Sequence, residues 1–430
     1  NTTGTSNTAV GLLALYANTT ADGNTAVGFE SLKTNTTGSR NIGVGVESLC
    51  SNTTGARNIA IGYEAMCKNT EGSDNTAFGT NSLFSNTTAS NNTAIGRAAL
   101  FANTTGSCNT ALGCGALCAA QTADGNTALG MCTLKTNTTG SNNTAVGKIA
   151  LCLNTTGSCN VAIGVEAMDS NTTGSSNVAV GTDSLQANTT GGSNIAIGDD
   201  ALKGNSTASF NIGIGATALQ NNQTGTGNVA VGYQSLPSNT ASNNTAVGRA
   251  SLLANTTGAS NVAVGTCSLK ANTTASGNTA VGFESLKSNT EGADNTAIGL
   301  CAMCSTTTGN SNVAVGRRAL ISHTTGTHNV AMGFNSMFST TTGVCNVGVG
   351  GGALQSNTTG CYNVGVGRFA NCANLTSNNN VAIGHESLKL NTAANNTGVG
   401  YLSLTANTTA VDNTAVGFCA LAKNTTATGN

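Results

Sequence analysis

The amino-acid sequence predicts a repeat solenoid of the β-solenoid or β-roll class. A 17-residue motif recurs along the chain, with copies that begin at Asn7, Asn24, Asn41 and onward to Asn413. The composition does not suit ordinary globular domains, because it has 56 Gly, one Pro, no Trp and only 8% charged residues. A unit of this length cannot bury a core alone, whereas stacked copies bury one between neighbours.

The motif reads N-[TVI]-[AG]-[VIL]-G-x-x-[AS]-[LM]-x-x-N-T-T-[GA]-x-x, and we number its positions from the first Asn. Of 25 full repeats, 23 have 17 residues, and the two that start at Asn228 and Asn380 have 16 because the N-T-T turn is shorter. We therefore predict one continuous solenoid over residues 1–430, cut from a longer array. At about 4.8 Å per coil, 25 coils would extend for roughly 120 Å.

Each coil is expected to contain one short parallel strand at positions 2 to 4. The β-branched and aliphatic residues at positions 2 and 4 are expected to face the core. The Ala or Gly at position 3 would then point outward. A continuous column of such small residues indicates close packing, either by the other wall of a flat coil or by a neighbouring chain.

The rest of the coil is expected to contain a helical turn or a second strand, followed by an N-T-T-G turn. The glycine at position 5 is present in every copy, which indicates a backbone angle or a close approach that a Cβ would forbid. Position 9 is Leu or Met except at Asn371 and is expected to form one buried column. Asn at position 1 is predicted to form a ladder of amide hydrogen bonds between coils.

The strings "NVAVGYQSL" at Asn228 and "NTAIGRAALFANTTG" at Asn92 carry a resemblance to known proteins. They resemble the YadA-like head repeats of trimeric autotransporter adhesins and are similar to N-T-A-[VI]-G repeats of phage and giant-virus tail-fibre and cell-surface proteins. The resemblance covers the whole chain and implies a solenoid at a cell or virion surface. The longer period and the N-T-T-G turn depart from the adhesin pattern.

No catalytic, cofactor-binding or metal-binding constellation is recognisable, so no enzyme is predicted. The three histidines are interpreted as solvated residues, since no carboxylate cluster accompanies His323 and His328. The 15 cysteines occupy variable positions. Only Cys50 and Cys67 both fall at position 10 of adjacent coils, where stacking at about 4.8 Å would allow a disulfide.

The turn asparagine at position 12 usually begins an N-x-[ST] acceptor for N-glycosylation. The alternative is that Asn and Thr are simply favourable turn residues that stack into ladders. The candidate positions are Asn18, Asn35, Asn52, Asn86, Asn103, Asn137, Asn154, Asn171, Asn188, Asn205, Asn222, Asn255, Asn272, Asn357, Asn374, Asn407 and Asn424.

These observations predict a structural, rod-forming subunit of an extracellular fibre or surface adhesin that associates with itself and carries a glycan coat. A receptor-binding viral or phage tail fibre is the alternative, and an ice-binding solenoid is a weaker one. The net charge of −1 argues against nucleic-acid binding. No apolar run reaches the roughly 18 residues of a membrane span.

Overall fold

The chain folds into parallel β-solenoid coils, as the repeat predicts. The computed structural model describes residues 1–430, and every full repeat carries one strand of three residues. The coils form two compact units, Asn1–Thr224 with strands β1 to β13 and Gly225–Asn430 with strands β14 to β25. A single continuous solenoid over the whole chain stays a prediction.

The first unit contains β1 Thr8–Val10, β2 Thr25–Val27, β3 Ile42–Val44, β4 Ile59–Ile61, β5 Thr76–Phe78, β6 Thr93–Ile95, β7 Thr110–Leu112, β8 Thr127–Leu129, β9 Thr144–Val146, β10 Val161–Ile163, β11 Val178–Val180, β12 Ile195–Ile197 and β13 Ile212–Ile214. The second unit contains β14 Val229–Val231, β15 Thr245–Val247, β16 Val262–Val264, β17 Thr279–Val281, β18 Thr296–Ile298, β19 Val313–Val315, β20 Val330–Met332, β21 Val347–Val349, β22 Val364–Val366, β23 Val381–Ile383, β24 Thr397–Val399 and β25 Thr414–Val416.

Within each unit, every strand pairs in parallel with the strand of the next coil at the same repeat position. Thr25 lies opposite Ile42, and the Thr25 N–H donates to Asn41 O at 2.8 Å. The shortened repeat keeps this register, since Val229 pairs with Thr245 although only 16 residues separate them. Its missing residue therefore comes from the turn, as the sequence indicates.

The predicted orientation of the strand is wrong. Ala26 at position 3 is fully buried, whereas Thr25 and Val27 on either side are partly exposed. The reason is the thinness of the coil. A Cβ placed on Gly43, the position-3 residue of the next coil, would lie 2.6 Å from Ser31 Oγ and 3.4 Å from Leu32 Cγ. The opposite wall of the same chain therefore covers position 3, and the larger residues at positions 2 and 4 face outward.

The predicted helical turn or second strand is also wrong, because positions 6 to 11 form a chain of turns. Residues at positions 7 and 9 have left-handed backbone angles, with φ of +55° at Glu30 and +50° at Leu32. A helix needs the same right-handed angles at successive residues. Here the Leu32 N–H instead leaves the coil and donates to Ser48 O of the next coil at 2.9 Å.

The Leu and Met side chains at position 9 form the buried column that the sequence predicts. Leu32, Leu49 and Met66 are all fully buried. Asn371 interrupts the column and is equally buried, and neither polar atom of its side chain has a hydrogen-bond partner. A buried polar group without a partner destabilises the fold, so this coil has a local defect.

The invariant glycine at position 5 has both features that its recurrence indicates. Its φ is about +130°, for example +137° at Gly79, a region that only glycine adopts readily. A Cβ on Gly79 would also lie 2.7 Å from Gly96 O in the next coil. Any side chain at position 5 would thus push adjacent coils apart.

Replacement of Gly79 by Ala is expected to lower the free energy of unfolding by about 2–5 kcal/mol, through backbone strain and overpacking. Gly115→Ala is the matched control. Gly115 has φ of +66°, and a Cβ added to it would have Cys132 Sγ as its nearest neighbour, at 3.9 Å. Other residues already adopt that angle at the same position. Urea denaturation of both variants measures the difference, and equal stabilities would contradict the steric account.

Asn371→Leu is expected to stabilise its coil by about 1–3 kcal/mol, because it removes two unpaired buried polar atoms and restores the apolar column. The reciprocal change, Leu354→Asn in the preceding coil, should destabilise by a similar amount. Amide hydrogen exchange of the flanking coils measures this local stability. Unchanged exchange in Asn371→Leu would show that the defect has no energetic consequence.

Candidate functional site

Two ladders of buried asparagines follow the corners of the coils. In the first, at position 1, the Asn41 N–H donates to Asn24 Oδ1 at 2.8 Å, and Asn41 Nδ2 donates to Gly55 O at 2.8 Å. In some coils the side-chain amides also pair directly, as between Asn75 Nδ2 and Asn58 Oδ1 at 3.2 Å. The ladder predicted at position 1 is present, although the backbone N–H is its more regular donor.

The second ladder runs through the turn asparagines at position 12. Asn52 Nδ2 donates to Asn35 Oδ1 at 2.7 Å and to Gly55 O at 2.9 Å. Gly55 O therefore accepts hydrogen bonds from both ladders and joins the two corners. The sequence left two roles open for this asparagine, a glycan acceptor or a turn residue that stacks into a ladder, and the ladder is present. Its recurrence in all but four of the 25 repeats, whatever follows it, was the signal for a buried structural role.

The ladder places the candidate glycosylation sites inside the coil. Sixteen of the seventeen asparagines are buried, and Asn424 in the last coil is half-buried. Their Nδ2 atoms donate hydrogen bonds within the coil or to the preceding one, as Asn171 does to Asn154 Oδ1 at 2.8 Å. A glycan joined to Nδ2 has no space there. Glycosylation stays a prediction, and the folded geometry opposes it.

The three histidines occupy different surroundings. His323 replaces Asn in the second ladder and is fully buried, with Nδ1 3.0 Å from Thr306 Oγ1, so its interpretation as a solvated residue is wrong. Burial lowers the pKa of His323 to about 4, because the charged imidazolium is disfavoured away from water. His328 is exposed, and His385 stacks on Tyr401 with ring centroids 5.5 Å apart. The fold does not bring these histidines into one site.

All 15 cysteines are free thiols in the structure. Cys50 and Cys67 lie close together, and the Cys50 thiol faces Cys67 O at 3.3 Å. The hydrogen bond from the Cys67 thiol lowers the pKa of Cys50 to about 7, and the same contact raises the pKa of Cys67. Cys50 is therefore the thiol of this pair that ionises more readily. Their disulfide stays a prediction.

The outward strand face consists of the side chains at positions 2 and 4 of every coil. Position 2 is Thr, Val or Ile, and position 4 is apolar in every repeat. Phe78, Ile163 and Ile197 at position 4 expose 54%, 40% and 39% of their surface. This face carries no charged residue in any of the 25 repeats. Contiguous exposed apolar strips of this kind mark interaction surfaces.

The fold and the ladders define the chain as a parallel β-solenoid repeat protein. No protein-family model matches the sequence, and a search of curated proteins finds no similar one. The structure contains no helix that is long and apolar enough to cross a membrane. The function must therefore be inferred from the coils themselves.

Acidification is expected to destabilise the coils around His323. The unfolded chain binds the imidazole proton near pH 6.5 and the folded chain near pH 4, so unfolding takes up a proton between these values. The contribution of neutral His323 is complete above pH 6.5 and is lost as the pH falls toward 4, by up to about 3 kcal/mol. Hydrogen exchange of this coil at pH 7.5 and 4.5, corrected for intrinsic rates, measures the loss.

His323→Asn restores the ladder residue and supplies the control for that measurement. The variant should show a smaller loss of stability between pH 7.5 and 4.5, because asparagine does not titrate. Carboxylates that titrate in the same range affect both proteins equally. Identical pH dependence in the two proteins would show that His323 is not the responsible group.

Proposed function

We propose that the chain is a structural, rod-forming subunit of an extracellular fibre or surface adhesin at a cell or virion surface. The observation that carries this proposal is the outward strand face, which is uncharged in every coil, apolar at position 4 and occupied by Thr, Val or Ile at position 2. The N-[TV]-A-[VI]-G string favours kinship with YadA-like surface repeats. The function is mechanical, since the buried asparagine side chains form the two ladders and their hydrogen bonds hold adjacent coils together.

The partner of the outward strand face is another copy of the chain. A strip about 10 Å wide with a coil spacing of about 4.8 Å offers roughly 50 Å² per coil, or about 600 Å² for a unit of 12 or 13 coils. This area approaches the roughly 800 Å² that each partner buries in a standard stable interface. Two identical faces also have the same spacing, so their ridges match over many coils.

The predicted glycan coat is not part of this proposal, because the acceptor nitrogens donate hydrogen bonds inside the coils. A receptor-binding tail fibre remains the alternative, since the same coils would serve as its shaft. Ice binding is not favoured. Position 4 is never Thr, and the hydroxyl of the turn residue Thr53 donates to Thr70 O at 3.0 Å instead of facing water.

The proposal predicts that charge on the outward strand face prevents assembly. The double variant Ile163→Glu and Ile197→Glu should weaken self-association by more than about 100-fold, because burying unpaired carboxylates costs several kcal/mol. Sedimentation velocity and negative-stain images of the natural chain and the variant measure assembly. The natural chain should form multimers or filaments, and the variant should sediment as a single chain.

Thr173→Glu with Thr190→Glu is the matched control, because both residues are exposed at position 14, where Glu71 and Glu291 occur naturally. This control should assemble like the natural chain. A natural chain that stays single at micromolar concentration would overturn the proposal. Normal assembly of the Ile163→Glu and Ile197→Glu variant would place the contact elsewhere.

A further inference from the structure

Two thiols and a carboxylate meet on the surface of two adjacent coils. One ligand atom each from Glu47, Cys50 and Cys67 lies within 4.8 Å of the other two. Glu47 and Cys50 are half-buried and Cys67 is buried. No other three His, Cys, Asp or Glu side chains of the chain approach one another as closely. The repeat register already brings the two cysteines together, whereas the approach of Glu47 is seen only in the folded coils.

The coil geometry explains why these positions meet. A residue at position 10 lies beside position 7 of its own coil and position 7 of the preceding coil. Lys203 at position 10 demonstrates the arrangement, since its Nζ is 2.9 Å from Asp200 Oδ1 in its own coil and 2.9 Å from Asp183 Oδ2 in the preceding one. The same place on the coil therefore already holds a cation elsewhere in the chain.

Around Glu47 no ammonium group takes that place. Position 10 of its own coil and of the next is cysteine, and the nearby Lys33 pairs with Glu30 at 2.9 Å within the preceding coil. Glu47, Cys50 and Cys67 thus form a donor set of two sulfurs and one oxygen, with no basic side chain in it. Such a set suits a cation that prefers sulfur.

We propose that Glu47, Cys50 and Cys67 bind a thiophilic divalent cation of the Zn²⁺ class, with two thiolates and one carboxylate as ligands. Zn²⁺ binds this combination in tetrahedral geometry at about 2.3 Å to sulfur and about 2.0–2.2 Å to oxygen, so the ligand atoms need only draw slightly closer. Water supplies the fourth ligand. Mg²⁺ and Ca²⁺ are excluded as preferred ions because they take oxygen ligands.

Because the cation binds thiolates, its binding releases thiol protons to solvent. The site and the predicted Cys50–Cys67 disulfide exclude each other, because oxidation consumes both thiolates. In either form the two coils become cross-linked. The cation-bound form additionally requires Glu47, and this requirement separates the two in an experiment.

The test uses the reduced full-length chain and one equivalent of Zn²⁺. Alkylation with iodoacetamide, followed by mass spectrometry of the peptides, reports which thiols the cation protects. Cys50 and Cys67 should be protected by at least about tenfold in rate. Cys118 and Cys372, also at position 10 and half-buried, are internal controls that should not be protected, since the residues at position 7 of their own and the preceding coil are Gly, Ala or Phe and supply no ligand.

Glu47→Gln should weaken the protection by at least about tenfold, because the loss of an outer-shell partner alone costs 10–100-fold in affinity. Glu166→Gln, at the same position of a distant coil, should leave the protection unchanged. Protection of Cys118 and Cys372 equal to that of Cys50 and Cys67 would overturn the site, as would full protection in Glu47→Gln. Failure of the reduced protein to bind Zn²⁺ would also overturn the proposed site.

Discussion

The thinness of the coil is the constraint on which the rest of this structure depends. The inward strand position accommodates nothing larger than a methyl group, because Ser31 and Leu32 of the opposite wall lie directly across from it. In almost every coil, one Leu or Met is therefore the only large apolar side chain that is buried. A core this small cannot hold a coil together by apolar burial alone, so hydrogen bonds between coils must contribute much of the cohesion.

Backbone groups and the two asparagine ladders supply those bonds. The N–H groups of Thr36, Thr37 and Gly38 in the turn all point at Thr53 O of the next coil, at 3.0 to 3.3 Å. At the corners, side-chain amides accept and donate where the bending backbone leaves polar groups that water cannot reach. Each coil thus completes its hydrogen bonds only when a neighbour is present, so a defect such as Asn371 acts locally.

The same constraint shapes the outer surface. The interior has no room for the larger strand residues. The outward strand face therefore carries the Val, Ile, Leu and Phe side chains, which can be buried only by a partner. Charged and thiol side chains gather instead at positions 7 and 10, where adjacent coils bring them side by side. The proposed assembly face and the proposed cation site therefore lie on different surfaces of one coil.

The sequence by itself determined the repeat, the parallel strand in each coil, the glycine that lets coils approach and the buried Leu column, because each leaves a periodic mark on residue choice. The tertiary structure alone decided which strand face is inside. Alternation of side chains is symmetrical, and only the distance to the opposite wall shows that Ala26 fits within and Val27 does not. It also decided that positions 6 to 11 form left-handed turns, since leucine at position 9 gives no sign of positive φ. The meeting of Glu47 with Cys67 likewise depends on a contact between residues more than one repeat apart, which no local pattern records.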